Sequence, residues 1–323
     1  MTALSLLAPF DPAHPAALAP FCALVQETEL RMLWQGHSTA GDAWMNAAHL
    51  AGAGYTVPFG FGVQLTGYAH PFEAVVKAVS LTRQTGRPVV AGFGPGGRSA
   101  QAALHGAPLP SPLTHMRDYV STMRTALGGT PGIEIGMGVL RPRMAFLCGE
   151  TADVAITWLT PPEYIRDTLL SALEEGAASA GRPRPRIVSV LPAAFGVDRR
   201  DGAAAIEATI GHHLTLPHYR DVLGRAGIRL PEPGAALSAE VCRDLEERGA
   251  VTTDPAAELD GLRSRYAAAG VEEIVLNVIG ATAVAGPRAV LDALITLLEP
   301  AEPLEGPSFR TAPRRSEDRA GVG

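Results

Sequence analysis

The apolar positions of this chain fall into short runs rather than one continuous periodicity. Strand-like runs of β-branched and other apolar residues recur at about 3–9, 31–36, 57–65, 88–93, 133–140, 153–159, 186–195 and 273–279. Between them, helical spacing is found near 15–29, 39–53, 71–85, 113–127, 142–151, 162–180, 201–226, 238–248, 255–269 and 286–298. Strands that alternate with helices predict parallel pairing with both sheet faces covered. Eight such units in 323 residues predict an α/β fold, the (β/α)8 TIM barrel. A doubly wound open sheet is the alternative.

The stretch at about 197–270 is longer than one crossover helix needs and contains Pro231-Glu-Pro-Gly234, so it reads as a helical insertion after strand seven. A single barrel domain then takes in 1–299. The tail at 300–323 has little apolar periodicity and is expected to be loosely ordered.

Composition narrows the partners. Apolar residues make up 46% and charged residues 19%, with a net charge of -6, which points away from disorder and from nucleic acid and toward a small-molecule or modified-peptide substrate. Cys22, Cys148 and Cys242 are widely spaced and form no C-x-x-C pair, so they read as reduced core residues. No apolar run approaches the length of a membrane span and no lysine or arginine precedes Arg31, so a cytoplasmic protein without a membrane partner is expected.

The segment from Arg87 to Ser99 carries the clearest chemical signal. A short apolar strand runs into Gly92, Gly94, Pro95, Gly96, Gly97, Arg98 and Ser99. Glycines let backbone amides approach a ligand, and amides at a helix start beside a guanidinium suit a phosphate. Gly92, Gly94 and Gly97 also satisfy G-x-G-x-x-G, but the residues about 20 positions on, Arg117 and Asp118, fall inside a helix rather than at the end of a strand. A phosphorylated cofactor other than a dinucleotide is the better match.

In a barrel the chemistry sits at the C-terminal ends of the strands. Strand two ends in Gln35, Gly36, His37 and Ser38, which makes His37 a candidate proton donor and Gln35 a hydrogen-bonding neighbour. A cap on the next helix is the competing role for His37. His70, followed by Pro71, reads as a helix cap. Arg141 and Arg143 suit either an anionic tail or a solvated helix start. His212, His213 and His218 lack the i, i+4 spacing of a zinc site, so no metal is expected and they are assigned to a substrate entrance.

Three segments together resemble the bacterial luciferase-like superfamily, whose members bind FMN or the deazaflavin F420. They are His70-Pro71 through Thr85-Gly-Arg87 into the glycine segment; Leu140-Arg-Pro-Arg-Met144 through Gly149 and Asp153 to Trp158-Leu-Thr-Pro-Pro-Glu-Tyr164; and Thr253-Asp-Pro255 through Ala269-Gly-Val-Glu-Glu-Ile-Val-Leu276. The resemblance implies a flavin-like ring across the strand ends, a cis peptide near Gly62-Val-Gln64, and a homodimer. It implies that Gln64, Leu65 and Thr66 approach the ring, that Gly94, Pro95, Gly96, Gly97, Arg98 and Ser99 hold the phosphate, and that Met137 and Gly138 lie near the cofactor's side chain. Trp158 and Thr160 would wall the substrate or phosphate end.

Strand two departs from many relatives in lacking an acidic residue at its end, which leaves a carried-over catalytic acid open. Ala91–Gly96, Gly106–Leu113 and Val139–Arg143 are most similar to a subgroup associated with F420-dependent reduction of dehydroamino acids in lanthipeptides. F420 is therefore the expected cofactor, with FMN as the alternative. An FMN-dependent monooxygenase and a non-catalytic flavin-binding scaffold are the competing functions.

Overall fold

The computed structural model describes residues 2–38 and 40–298. The tail at 300–323, expected to be loosely ordered, lies outside the described residues. Eight strands form: β1 (Ala3–Leu7), β2 (Leu33–Gln35), β3 (Phe59–Leu65), β4 (Val89–Gly94), β5 (Ile133–Gly138), β6 (Val154–Trp158), β7 (Arg186–Pro192) and β8 (Val271–Asn277). They close into a barrel in sequence order, with β8 pairing back onto β1, and every neighbouring pair is parallel. The open-sheet alternative is thereby excluded.

Side chains alternate between the two faces of each strand. Outward residues such as Leu33, Phe59, Phe61, Phe93 and Ile135 pack with the surrounding helices in one large apolar layer. Inward residues, among them Leu7, Trp34, Val90, Val154, Ile156, Val188, Val190 and Val275, form a second cluster that fills the barrel. Glycines make room for the large members. A Cβ at Gly60 would lie 2.4 Å from the Trp34 ring, and one at Gly136 would lie 2.8 Å from Ile156 Cδ1.

Below this apolar plug lies a charged layer. Glu273 is fully buried and accepts from Trp34 Nε1 (2.7 Å), Ser5 Oγ (2.7 Å) and Arg186 Nη1 (2.7 Å). Arg186 also donates to both oxygens of Glu134, at 2.9 and 2.8 Å. This end carries structure rather than chemistry, as N-terminal barrel faces do.

Helix boundaries follow local chemistry. Asp42 caps Ala43–Gly52 through Trp44 N and Met45 N. His70 Nδ1 accepts from Phe72 N at the start of Pro71–Thr85, in the capping role its sequence context predicts, and Gly86 ends that helix at φ 66°. Two helices escape the sequence pattern: Arg98–His105 and Ile279–Ala285. The expected continuous helix at 201–226 is broken into Gly202–Ile210 and Pro217–Arg225, because Pro217 cannot continue a helix and instead opens the second one. With Ala239–Glu247 these helices form the insertion, whose chain returns beside β7 through the Ala193 and Thr252 bridge. Pro255–Ala268 then leads directly into β8 as its crossover helix.

Candidate active site at the barrel mouth

At the mouth the inward positions that end β4 and β5 are glycines, Gly94 and Gly138. Gly62 and Val63 are joined by a cis peptide, at the position where the sequence resemblance places one, and the β3–β4 register shifts between Phe61 and Gln64. Val63 leans across the neighbouring strand ends: a Cβ at Gly94 would lie 2.9 Å from its Cγ2, and one at Gly138 would lie 3.5 Å from its Cγ1. The floor is therefore flat and apolar, formed by Val63 with Trp158 above the inner cluster.

On one side of this floor β4 turns into a helix. Gly96 takes φ 70°, a conformation that glycine adopts without strain. Gly97 is the N-cap of Arg98–His105, and no side chain caps this helix start. Its first-turn amides are left to a ligand or water. Gly94, Pro95, Gly96, Gly97, Arg98 and Ser99 thus converge as one turn, with Arg98 and Ser99 exposed.

The insertion supplies the facing wall. His218 is the nearest group to a Cβ built at Gly97, 3.8 Å away. Burial lowers its pKa, and the Arg141 charge lowers it further. Arg141, at the end of β5, is held by Asp221 of the same insertion helix (Nε to Oδ2, 3.0 Å). The approach of His218 to Gly97 cannot be read from sequence spacing, because the two lie far apart in the chain.

His37 stands past β2, half-buried, with its ring 4.5 Å from that of Tyr68. Burial lowers its pKa and the Asp11 charge opposes this. Gln64 reaches under it and donates to the Gly36 carbonyl at 3.0 Å. Leu65 packs against Gly96, whose Cβ would lie 3.3 Å from Leu65 Cδ2. Thr66 Oγ1 is bonded to His115 Nε2 at 2.8 Å.

Three of the sequence-predicted residues, Gln35, Met137 and Thr160, sit differently from their expected roles. Gln35 is buried and turned toward the surrounding helix, where its Oε1 accepts from Asn46 Nδ2 at 3.3 Å, so it supports β2 rather than facing the mouth. Met137 is fully buried in the layer between barrel and helices, and only Gly138 of that pair faces inward. Thr160 is fully buried, with its hydroxyl donating to the Trp158 carbonyl at 3.0 Å. It secures the turn in which Leu159 takes φ 53°. Trp158 does reach the mouth, with the His213 ring 5.1 Å away, and its indole N–H is buried without a partner among the described residues.

His212, His213 and His218 gather around Trp158 and Tyr219. Burial, with repulsion from His212 and His218, lowers the His213 pKa to about 4. Among the described residues no group of three His, Cys, Asp or Glu side chains converges as metal ligands. Nor is any helix there long and apolar enough to cross a membrane.

The fold is a (β/α)8 barrel with an uncapped helix start at its mouth and a histidine beside it. The chain belongs to the luciferase-like monooxygenase family, which matches residues 12–295. Members of this family are F420- or FMN-dependent oxidoreductases and monooxygenases. No curated protein matches the chain.

Solved structures share its fold at low identity. The coenzyme F420-dependent tetrahydromethanopterin reductase of Methanopyrus kandleri is 17% identical, with a TM-score of 0.68 over 92% of this chain and 99% of that one. An F420-dependent secondary alcohol dehydrogenase, solved with an F420–acetone adduct, is 14% identical, with a TM-score of 0.65 over 93% and 99%. The oxygenating constituent of 3,6-diketocamphane monooxygenase of Pseudomonas putida, solved with FMN, is 11% identical, with a TM-score of 0.66 over 92% and 97%.

The residues present fit a phosphorylated flavin-type group. At Gly97 the space a side chain would take is open, the amides beside it are uncapped, and Arg98 and Arg141 bring positive charge to the same side. Next to this cradle, Val63 lies over Gly94 and Gly138 and gives an apolar surface for a planar ring.

Proposed function

We propose that this chain is an F420H2-dependent reductase that adds hydrogen across an activated carbon–carbon double bond, the class to which dehydroalanine and dehydrobutyrine residues of a lanthipeptide belong. The observation that carries the cofactor assignment is the uncapped turn at Gly96–Ser99 beside a flat apolar floor. The choice of F420 over FMN is supported by the likeness of Ala91–Gly96, Gly106–Leu113 and Val139–Arg143 to dehydroamino acid reductases.

Bound F420H2 supplies the hydride, which goes to the β-carbon of the double bond. The protein does the rest. The turn at Gly96–Ser99 and Arg98 hold the phosphate, and Val63 with the glycine strand ends sets the plane of the ring. Trp158, packed on His213, walls the substrate side. The α-carbon would take its proton from the imidazolium form of His37 at the rim, which is then re-protonated from solvent, or from water directly. We assign the protein to the cytoplasm as a homodimer, supported by exposed Met45 on one helix and Phe72 and Val76 on the next.

Titration of the purified protein with F420 and with FMN, read by fluorescence, tests the cofactor. A peptide containing dehydroalanine, offered with F420H2, should then gain the mass of one hydrogen molecule. Binding of FMN alone with oxygen-dependent turnover would replace this reading with that of a monooxygenase. Binding of neither would leave a non-catalytic scaffold.

A further inference from the structure

The buried amide of Gln101 belongs to no element of the site described so far. It lies in the first turns of Arg98–His105 and is only 4% exposed. Both ends of its side chain are used, and both on backbone. Nε2 donates to the Gly96 carbonyl at 2.7 Å, and Oε1 accepts from Leu109 N at 3.1 Å. Its own backbone N–H donates to the Gly97 carbonyl at 2.9 Å.

These bonds tie together segments that have little else to fix them. Gly96 has no side chain and sits at φ 70°, so the orientation of the peptide that follows it is set by what its carbonyl touches. Leu109 lies in the 106–111 loop, which has no regular structure of its own before Ser111 caps the next helix. A buried amide satisfied at both ends holds its partners in one geometry, and leaving either partner unpaired in the interior is unfavourable.

We propose that Gln101 is a positioning residue for cofactor binding: by clamping the Gly96 carbonyl from below, it aims the amides of Gly97, Arg98 and Ser99 into the mouth. It touches no ligand and acts through the turn. The inference rests on the assignment of the Gly96–Ser99 turn to a phosphate.

The discriminating variant is Gln101→Glu, which is nearly isosteric. A protonated glutamic acid donates to the Gly96 carbonyl and accepts from Leu109 N, as glutamine does. The carboxylate has no proton to donate and sets negative charge against that carbonyl and behind the turn. Burial favours the protonated form at mildly acidic pH.

The Kd of full-length Gln101→Glu for F420 and FMN should therefore match wild type within about threefold near pH 5. It should weaken by about tenfold or more near pH 8, the cost of one buried bond lost and one partner orphaned. Wild type serves as the reference at each pH, since its amide does not titrate. Gln101→Met, which fills the same volume without either bond, should bind about tenfold more weakly at both pH values. Melting temperatures recorded under the same conditions separate folding from aiming.

Wild-type affinity in Gln101→Met, or a pH profile for Gln101→Glu that parallels wild type, would overturn the inference while leaving the cofactor assignment intact. Failure of wild type itself to bind either cofactor would overturn both.

Discussion

The indole of Trp34 donates from Nε1 to Oε1 of Glu273 across the barrel interior, at 2.7 Å, with both residues fully buried. Four groups share this one carboxylate: Trp34 and Ser5 on one oxygen, Arg186 and Arg31 on the other. Replacing it with alanine strands buried donors and one side of the Arg186 charge, at a cost of about 3–5 kcal/mol. Urea unfolding of Glu273→Ala should show that loss. Cofactor affinity in the folded fraction should be unchanged, because the network lies at the opposite end of the barrel from the mouth.

Gly97 and Gly96 separate ligand space from fold space. At Gly97 the backbone is extended (φ -74°) and a Cβ would meet nothing closer than His218 Cε1 at 3.8 Å. Gly97→Leu should therefore fold with a stability loss below about 1 kcal/mol, the weaker cap being its main cost. It should nevertheless bind F420 and FMN at least about tenfold more weakly, since the side chain occupies the anion cradle. Gly96→Val combines a left-handed backbone with contacts at 3.3 Å, so it should lose both stability and binding. Thermal melts paired with fluorescence titration distinguish the two variants.

His213 makes stability depend on acid pH. Its pKa is lowered from 6.5 to about 4, chiefly by burial, so the folded protein binds fewer protons there than the unfolded chain does. The contribution is complete above pH 6.5 and is lost as pH falls toward 4. His213→Phe keeps the aromatic packing against Trp158 and Tyr219 and removes the titration. Denaturation midpoints measured between those limits should fall less steeply in the variant, by up to one proton in the slope. An identical slope would assign the acid sensitivity to the other histidines.

Among these predictions, only the glycine cradle could have been stated from sequence. The eight strands are legible because parallel strands buried on both faces read as apolar β-branched runs, such as Ile187–Leu191 and Ile274–Leu276. Arg98–His105 is not, because its eight residues carry one amphipathic turn and begin on a glycine with no capping side chain. Gln35 and Met137 stand at the right strand ends but face outward, a matter of pleat parity that a one-residue change in register reverses. Gln101 left no signal at all: a glutamine in a short polar helix reads as solvent-facing until the 106–111 loop is seen to fold over it.

His37 is the group to test for proton transfer. His37→Phe preserves packing on Tyr68 and removes the N–H. Turnover of a dehydroalanine peptide should fall by about 10²-fold or more, the usual range for a lost general acid. The Kd for F420 should stay within about twofold, since a proton donor contributes little to ground-state binding.

Light scattering tests the assembly. Met45→Glu combined with Val76→Glu places charge on the exposed apolar face without touching the mouth. The doubly substituted chain should run at half the mass of wild type. Wild type at monomer mass would remove the dimer from the proposal.

The stacked interior of Trp34, Ile156 and the valines above Glu273 makes the barrel a vessel with one door. Nothing can pass through it from the amino-terminal side. Any ligand of the mouth therefore meets the Val63 floor from the carboxy-terminal side alone, and the plug fixes that side of approach from well below it.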